Sequence, residues 1–235
     1  MEIGYSIKNL IIKTKKMKKI GIVGWNTGEN SFGASKSYLT WLSLFGDVQI
    51  LLPKKGVVEG LDLLVLPGGP DLSPNAYDEV PGFNTGNSDL MKQYFYDNNL
   101  DQYLKLGVPI FGICLGFQQL CAKFGGKLEQ HYPYPYSSKA RWELVEPMYF
   151  NFETSSANEF LKDIKAPTKK EPYKINSLHH QGCHALPANV EVLGYSDYNN
   201  IEAARFGENI FGVQYHPEET YDAFSRNIIN YLLKQ

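Results

Sequence analysis

Cys114 stands in the run Gly112-Ile113-Cys114-Leu115-Gly116-Phe117-Gln118, where a buried apolar stretch gives way to helical spacing. A nucleophile carried on a sharp strand-to-helix turn needs small neighbours, and Gly112 and Gly116 flank the thiol on either side. The start of the following helix offers unpaired N–H groups and the positive end of its dipole, which favour anions such as a thiolate or an oxyanion. A thiol nucleophile also needs a base. His216 and Glu218 are two apart in Gly212-Val213-Gln214-Tyr215-His216-Pro217-Glu218. On extended backbone they share a side, so the carboxylate can accept from one ring nitrogen while the other takes the thiol proton.

A third segment supplies backbone rather than side chains. Pro67-Gly68-Gly69-Pro70-Asp71 follows the apolar run Leu61–Leu66. A glycine pair at the C-terminal end of a strand can turn N–H groups toward a developing oxyanion. Each segment taken singly has a plainer reading. A free cysteine commonly fills a core gap, a histidine beside an acidic helix start is ordinary surface, and Pro-Gly-Gly-Pro makes a simple turn.

The elements that would position these groups are legible as alternating strands and helices. Ile20–Val23, Val48–Leu52, Leu61–Leu66 and Val108–Ile113 are short apolar runs rich in β-branched residues, bounded by Gly or Pro. Ser35–Phe45 and Ser88–Leu106 carry helical spacing between them, the second stopping at Gly107. Such alternation predicts an α/β fold with a mostly parallel central sheet and helices on both faces. The second half is different: Glu143–Val145, Ile175–Leu178, Val190–Tyr195, Ile201–Arg205 and Ile210–Gln214 are short and closely spaced, as antiparallel strands added at the sheet edge would be. A last helix over about Tyr221–Leu233 places Phe224, Ile228 and Leu232 on one face. His131–Tyr136 reads as a proline-extended loop.

Composition bounds the rest. The chain has 235 residues, 43% hydrophobic and 20% charged, which suits one α/β domain with a sizeable core. A net charge of −2 gives no reason to expect nucleic acid or an anionic membrane as partner. Three cysteines without paired spacing argue against a disulfide framework and for a reducing, cytoplasmic setting. The basic run Lys13–Lys19 precedes the first strand, and Met17 is an alternative start, so residues 1–17 read as an N-terminal extension and 18–235 as the domain. His179, His180, Cys183 and His184 invite a metal reading, but no second ligand pair stands at zinc-finger spacing, and no metal is expected.

In this order, P-G-G, then G-I-C-L-G-F-Q, then G-V-Q-Y-H-P-E resembles the class I glutamine amidotransferase signature, over nearly all of residues 18–235. The resemblance implies that fold, flavodoxin-like, with Cys114 as nucleophile, His216 as base and Glu218 as its orienting partner. It implies an oxyanion hole from the Gly69 and Leu115 N–H groups, and Gln118 against the glutamyl part of a substrate. Asn176-Ser177-Leu178-His179-His180-Gln181 resembles a stretch of γ-glutamyl hydrolase-type enzymes, especially γ-glutamyl-γ-aminobutyrate hydrolases. In that group it lies beside the glutamyl pocket, which implies substrate contacts from Ser177, Leu178, His179, His180 and Gln181. The group's Arg-Asp pair on the helix before the nucleophile strand is replaced by Tyr96-Asp97. Tyr77 and Tyr96 would then stand on the leaving-group side.

The reaction so implied is hydrolysis of a γ-glutamyl amide through a thioester, with no cofactor. Three readings follow: a stand-alone γ-glutamyl hydrolase, a glutaminase subunit passing ammonia to a separate synthase partner, and a non-catalytic binding protein on the same fold. The third predicts a missing triad member, and all three residues are present.

Overall fold

The computed structural model describes residues 16–132, 145–167, 171–197 and 199–234. Its centre is a nine-stranded sheet in the spatial order Asp47–Leu51, Lys19–Val23, Leu63–Leu66, Ile110–Ile113, Ile210–Val213, Ile201–Gly207, Glu191–Ser196, Val145–Phe150, Tyr173–Asn176. The first five run parallel and the last four join antiparallel. The expected division between a parallel half and an added antiparallel edge is therefore the architecture observed.

Alternation along the strands sorts side chains to two cores. Ile20, Ile22, Leu63, Val65, Phe111, Ile113, Phe211 and Val213 point to one face, where the helices Lys36–Leu42, Ser155–Asp163 and Ala223–Leu232 bring Trp41, Leu161 and Ile228 against them. Leu64, Leu66 and Ile110 point to the other, against Phe95, Tyr103, Phe117 and Leu120 of the helices Leu90–Asn98, Leu100–Lys105 and Leu115–Lys123. Fully burying each such side chain contributes roughly 1.5–3 kcal/mol, and it is this double packing that holds the strand ends still.

The structure departs from the sequence reading in three places. The helix expected over Ser88–Leu106 is two helices broken at Asn99, whose side-chain amide donates to the Lys54 and Gly56 carbonyls at 2.8 and 2.6 Å. The strand near Glu143–Val145 runs Val145–Phe150, with residues 143 and 144 outside the described residues. Two small ribbons were not expected. One pairs Trp25–Gly28 with Ser31–Gly33, and the other pairs Lys127–Glu129 with Gly182–Ala185. Residues 133–136 of the proline-rich loop, and residues 1–15, lie outside the described residues.

Candidate active site

Cys114 joins the strand Ile110–Ile113 to the helix Leu115–Lys123 with φ 53° and ψ −106°, a conformation that L-residues rarely adopt. Its N–H donates to the Val213 carbonyl at 2.9 Å and its own carbonyl accepts from Gln118 N at 3.0 Å, so the turn is fixed at both ends. The flanking glycines are required by space. A Cβ on Gly112 would lie 2.7 Å from the Gly116 carbonyl oxygen, and one on Gly116 would lie 2.1 Å from that of Leu66. The bend therefore exists because two backbones approach where no side chain fits. The N–H of Leu115, in the first helical turn, has no acceptor within the helix.

His216 follows the neighbouring strand Ile210–Val213 and begins the short helix Pro217–Thr220. Its Nδ1 donates to Glu218 Oε1 at 2.7 Å, and Glu218 is 2% exposed. The two residues meet through a helical turn rather than along extended backbone, because Pro217 starts a helix immediately after the histidine. Burial works against a charge on His216, but the charge and hydrogen bond of Cys114, then those of Glu218, outweigh it and raise the imidazole to about 10. Asn176 brackets the histidine backbone, accepting from its N–H at 2.9 Å and donating to its carbonyl at 3.0 Å.

Gly68 and Gly69 follow the strand Leu63–Leu66 and line the same space: a Cβ on Gly68 would lie 2.7 Å from His216 Cε1 and 3.3 Å from Cys114 Cβ. The Gly68 N–H donates to the Tyr38 hydroxyl at 2.8 Å. Tyr38 is buried on the helix Lys36–Leu42, and burial together with the Glu218 carboxylate drives its pKa far up, so it stays a neutral phenol. Cys114, His216, Glu218, Gly68 and Gly69 thus line one cleft of about 560 Å³, and Trp25, Tyr38, Asp89, Lys92, Leu178 and Glu219 are among the other residues of its wall.

The expected substrate-contact residues are distributed more widely. Leu178 lines that cleft. Gln118 is buried, its amide donating to the Gln181 carbonyl at 2.9 Å and to Gln214 Oε1 at 3.3 Å. Ser177, His179 and Gln181 are buried, and His179 Nδ1 lies 2.9 Å from the same Gln181 carbonyl. His180 turns away to donate to Asp71 Oδ1 at 2.9 Å, with its other ring nitrogen 3.1 Å from Nδ1 of His131. Tyr77 and Tyr96 do not reach the cleft. Both are core residues, and the Tyr96 hydroxyl donates to the Ala76 carbonyl at 3.2 Å. The cleft meets only the start of the helix Leu90–Asn98, so Asp89 and Lys92 are the residues it presents, and Tyr96 lies a turn too far.

His179, His180, Cys183 and His184 do not converge: Cys183 is buried and His184 exposed on the ribbon strand Gly182–Ala185. Among the described residues, Glu146, His179 and Glu202 are the group whose ligand atoms lie within 4.8 Å of one another. Burial raises both carboxyl groups and lowers the imidazole to about 4, so each is pushed toward its neutral form and the group offers a cation little charge. Trp25, Tyr38 and Lys92 have no signature in the sequence, because an aromatic in a hairpin or on a helix and a lysine on a helix carry no signal of their own.

Comparison with known proteins agrees with this architecture. The family model described as Peptidase C26 matches residues 27–218. The glutamine amidotransferase-like protein YvdE of Lactococcus lactis subsp. lactis is 30% identical over 227 residues, covering 88% of this chain and 93% of that protein. The glutamine-hydrolyzing GMP synthase subunit of Pyrococcus abyssi is 31% identical over 172 residues, 73% of each chain. A crystal structure of a glutamine amidotransferase from Thermotoga maritima superposes with a TM-score of 0.62 at 16% identity, covering 94% of this chain and 100% of that one. At that identity the last likeness concerns the fold.

Proposed function

The chain belongs to the Peptidase C26 family of class I glutamine amidotransferase-like proteins, and on that premise we propose that it hydrolyses a γ-glutamyl amide through a thioester on Cys114. One observation carries the reading. A cysteine held at positive φ over a helix N-terminus shares a cleft with an imidazole that is itself bonded to a buried carboxylate.

In the proposed reaction His216 carries the proton and Cys114 the negative charge before attack. The thiolate adds to the γ-carbonyl carbon, and the oxygen gains the electron pair between the N–H groups of Gly69 and Leu115. Collapse breaks the C–N bond while His216 gives its proton to the departing amine. The neutral imidazole then takes a proton from water, whose oxygen attacks the thioester and expels the Cys114 thiolate with the imidazolium restored. Glu218 holds the ring and stabilises its cation throughout. Every step uses groups of this chain, substrate and water.

The favoured form of this reading is a stand-alone hydrolase of glutamine conjugated at its amide nitrogen. Ser177–Gln181, adjoining the cleft through Leu178, support it by their resemblance to that enzyme group. A second form has its own support in relatives named as glutamine-hydrolyzing subunits of GMP synthase: a glutaminase working with a synthase partner. Three free cysteines suit a reducing, cytoplasmic setting, and among the described residues no helix is long and apolar enough to cross a membrane. Purified protein assayed alone against free glutamine and a panel of γ-glutamyl amines separates the two forms. Turnover of a conjugate well above that of glutamine supports the first; activity appearing only with a synthase supports the second.

A further inference from the structure

The reaction above leaves one buried charged group of the cleft without a role. Lys92 lies in the first turn of the helix Leu90–Asn98 and is 4% exposed, an expensive place for an ammonium unless it is matched. Its Nζ donates to the Gly68 carbonyl at 2.5 Å and lies 4.1 Å from the centroid of the Trp25 ring, which covers it. A Cβ placed on Gly69 would meet the same nitrogen at 2.8 Å, so the ammonium packs directly on the link between the two glycines.

That link is a single planar unit. The Gly68 carbonyl and the Gly69 N–H belong to one trans peptide, and a trans peptide points them in opposite directions. A cation fixing the carbonyl therefore fixes the N–H, directed away from itself. Tyr38 holds the preceding N–H, that of Gly68, so this stretch is anchored on both sides of the Gly68 Cα. Hydrogen bonding to a charged donor also polarises the amide and makes its N–H a stronger donor.

Resting on the hydrolase reading, we infer that Lys92 is a positioning residue of the oxyanion hole: its ammonium orients and polarises the Gly68–Gly69 peptide so that the Gly69 N–H meets the oxygen that becomes negative. The lysine acts through the peptide and does not touch the reacting atoms. Its charge is conditional. Burial lowers its pKa to about 8, partly offset by Asp89 on its own helix and by Cys114 across the cleft. The other groups packed on it, the Trp25 ring and the Gly68 carbonyl, do not titrate. Below pH 8 the peptide is held by a cation, and above it by a neutral amine.

The test compares wild type with Lys92→Met and Lys92→Gln on one γ-glutamyl anilide, with kcat divided by the fraction of sites alkylated at Cys114 by iodoacetamide, which needs no oxyanion hole. Lys92→Met is expected to lose about a hundredfold in kcat, the scale of one oxyanion donor, with KM changed less than about threefold. Lys92→Gln keeps a donor without the charge and should fall between. Affinity for the γ-aldehyde of glutamate, which adds the thiol to form a tetrahedral adduct, should drop by the same factor as kcat/KM, while glutamate binding is unmoved. In wild type kcat should step down near pH 8, and the step should vanish in both variants. Loss of kcat matched by loss of alkylatable sites, or kcat within threefold of wild type, would overturn the inference. If neither variant folds, the wild-type profile decides, and no step near pH 8 counts against it. Turnover surviving Cys114→Ala would instead bring down the hydrolase reading itself.

Discussion

Asn176 holds His216 by its backbone at two points, accepting from the N–H at 2.9 Å and donating to the carbonyl at 3.0 Å. The asparagine ends the last antiparallel edge strand, Tyr173–Asn176, while the histidine follows a central parallel one. The added edge of the sheet is thereby tied to the centre of the proposed chemistry. Asn176→Ala removes the partner of two part-buried backbone groups, costing up to roughly 1–3 kcal/mol each. The expected outcome is a Tm lowered by several degrees and kcat lowered by at least about tenfold, because misplacement of a proton-transfer group by even an ångström is costly. Unchanged kcat in a folded Asn176→Ala protein would show that the ring is set by Glu218 alone.

The His216 proton gives a pH signature. Its pKa is raised from the usual 6.5 to about 10, so the imidazolium persists across neutral pH and is lost as pH rises through 10. In the proposed reaction the leaving amine needs that proton, so kcat/KM should show a further fall near pH 10, beyond the step near pH 8 expected from Lys92. Any stability the protonated form contributes is likewise full below 6.5 and lost through 10. In Cys114→Ala the causes arising from Cys114 vanish and burial remains, so the His216 pKa must fall, measured by NMR titration of the ring. An unshifted titration would separate the two side chains.

Tyr38→Phe removes the acceptor of the Gly68 N–H while keeping the ring in the core. The expected loss is about 1–3 kcal/mol in denaturant unfolding and a drop in kcat larger than any rise in KM. A rise in KM alone would assign Tyr38 to substrate binding.

Much of this was legible in the sequence, and the reason differs by residue. Gly112 and Gly116 are informative because only a close backbone approach demands them, and the distances of 2.7 and 2.1 Å to hypothetical Cβ atoms show how close. The strands bearing Cys114 and Gly68 are buried on both faces and read as apolar runs. The strand Val145–Phe150, next to the edge, is illegible in most of its length because Glu146 and Pro147 interrupt any alternation. Lys92 was invisible for another reason: a lysine on a short helix is ordinarily solvated, and only tertiary packing of Trp25 and the Gly68 carbonyl buries this one. Tyr96 misled because position along a helix does not say how far the cleft extends.

Gly116→Ala tests the geometry of the turn. Its Cβ would fall 2.1 Å from the Leu66 carbonyl oxygen and 2.6 Å from its carbon, backbone atoms that cannot swing aside. Overpacking of this kind costs about 1–3 kcal/mol or more, so the variant should unfold at lower denaturant or fail to accumulate. A variant as stable as wild type would mean that the two backbones stand further apart.

In the proposed reaction Cys114 carries the γ-glutamyl group. Acid quench during steady-state turnover of a γ-glutamyl anilide, followed by digestion and mass spectrometry, reads this directly. The expected result is a γ-glutamyl adduct on the peptide containing Cys114, absent from Cys114→Ala, and no adduct at the buried Cys121 or Cys183. An adduct on another residue, or turnover in Cys114→Ala above about a few per cent of wild type when loss of a nucleophile ordinarily costs orders of magnitude, would contradict it.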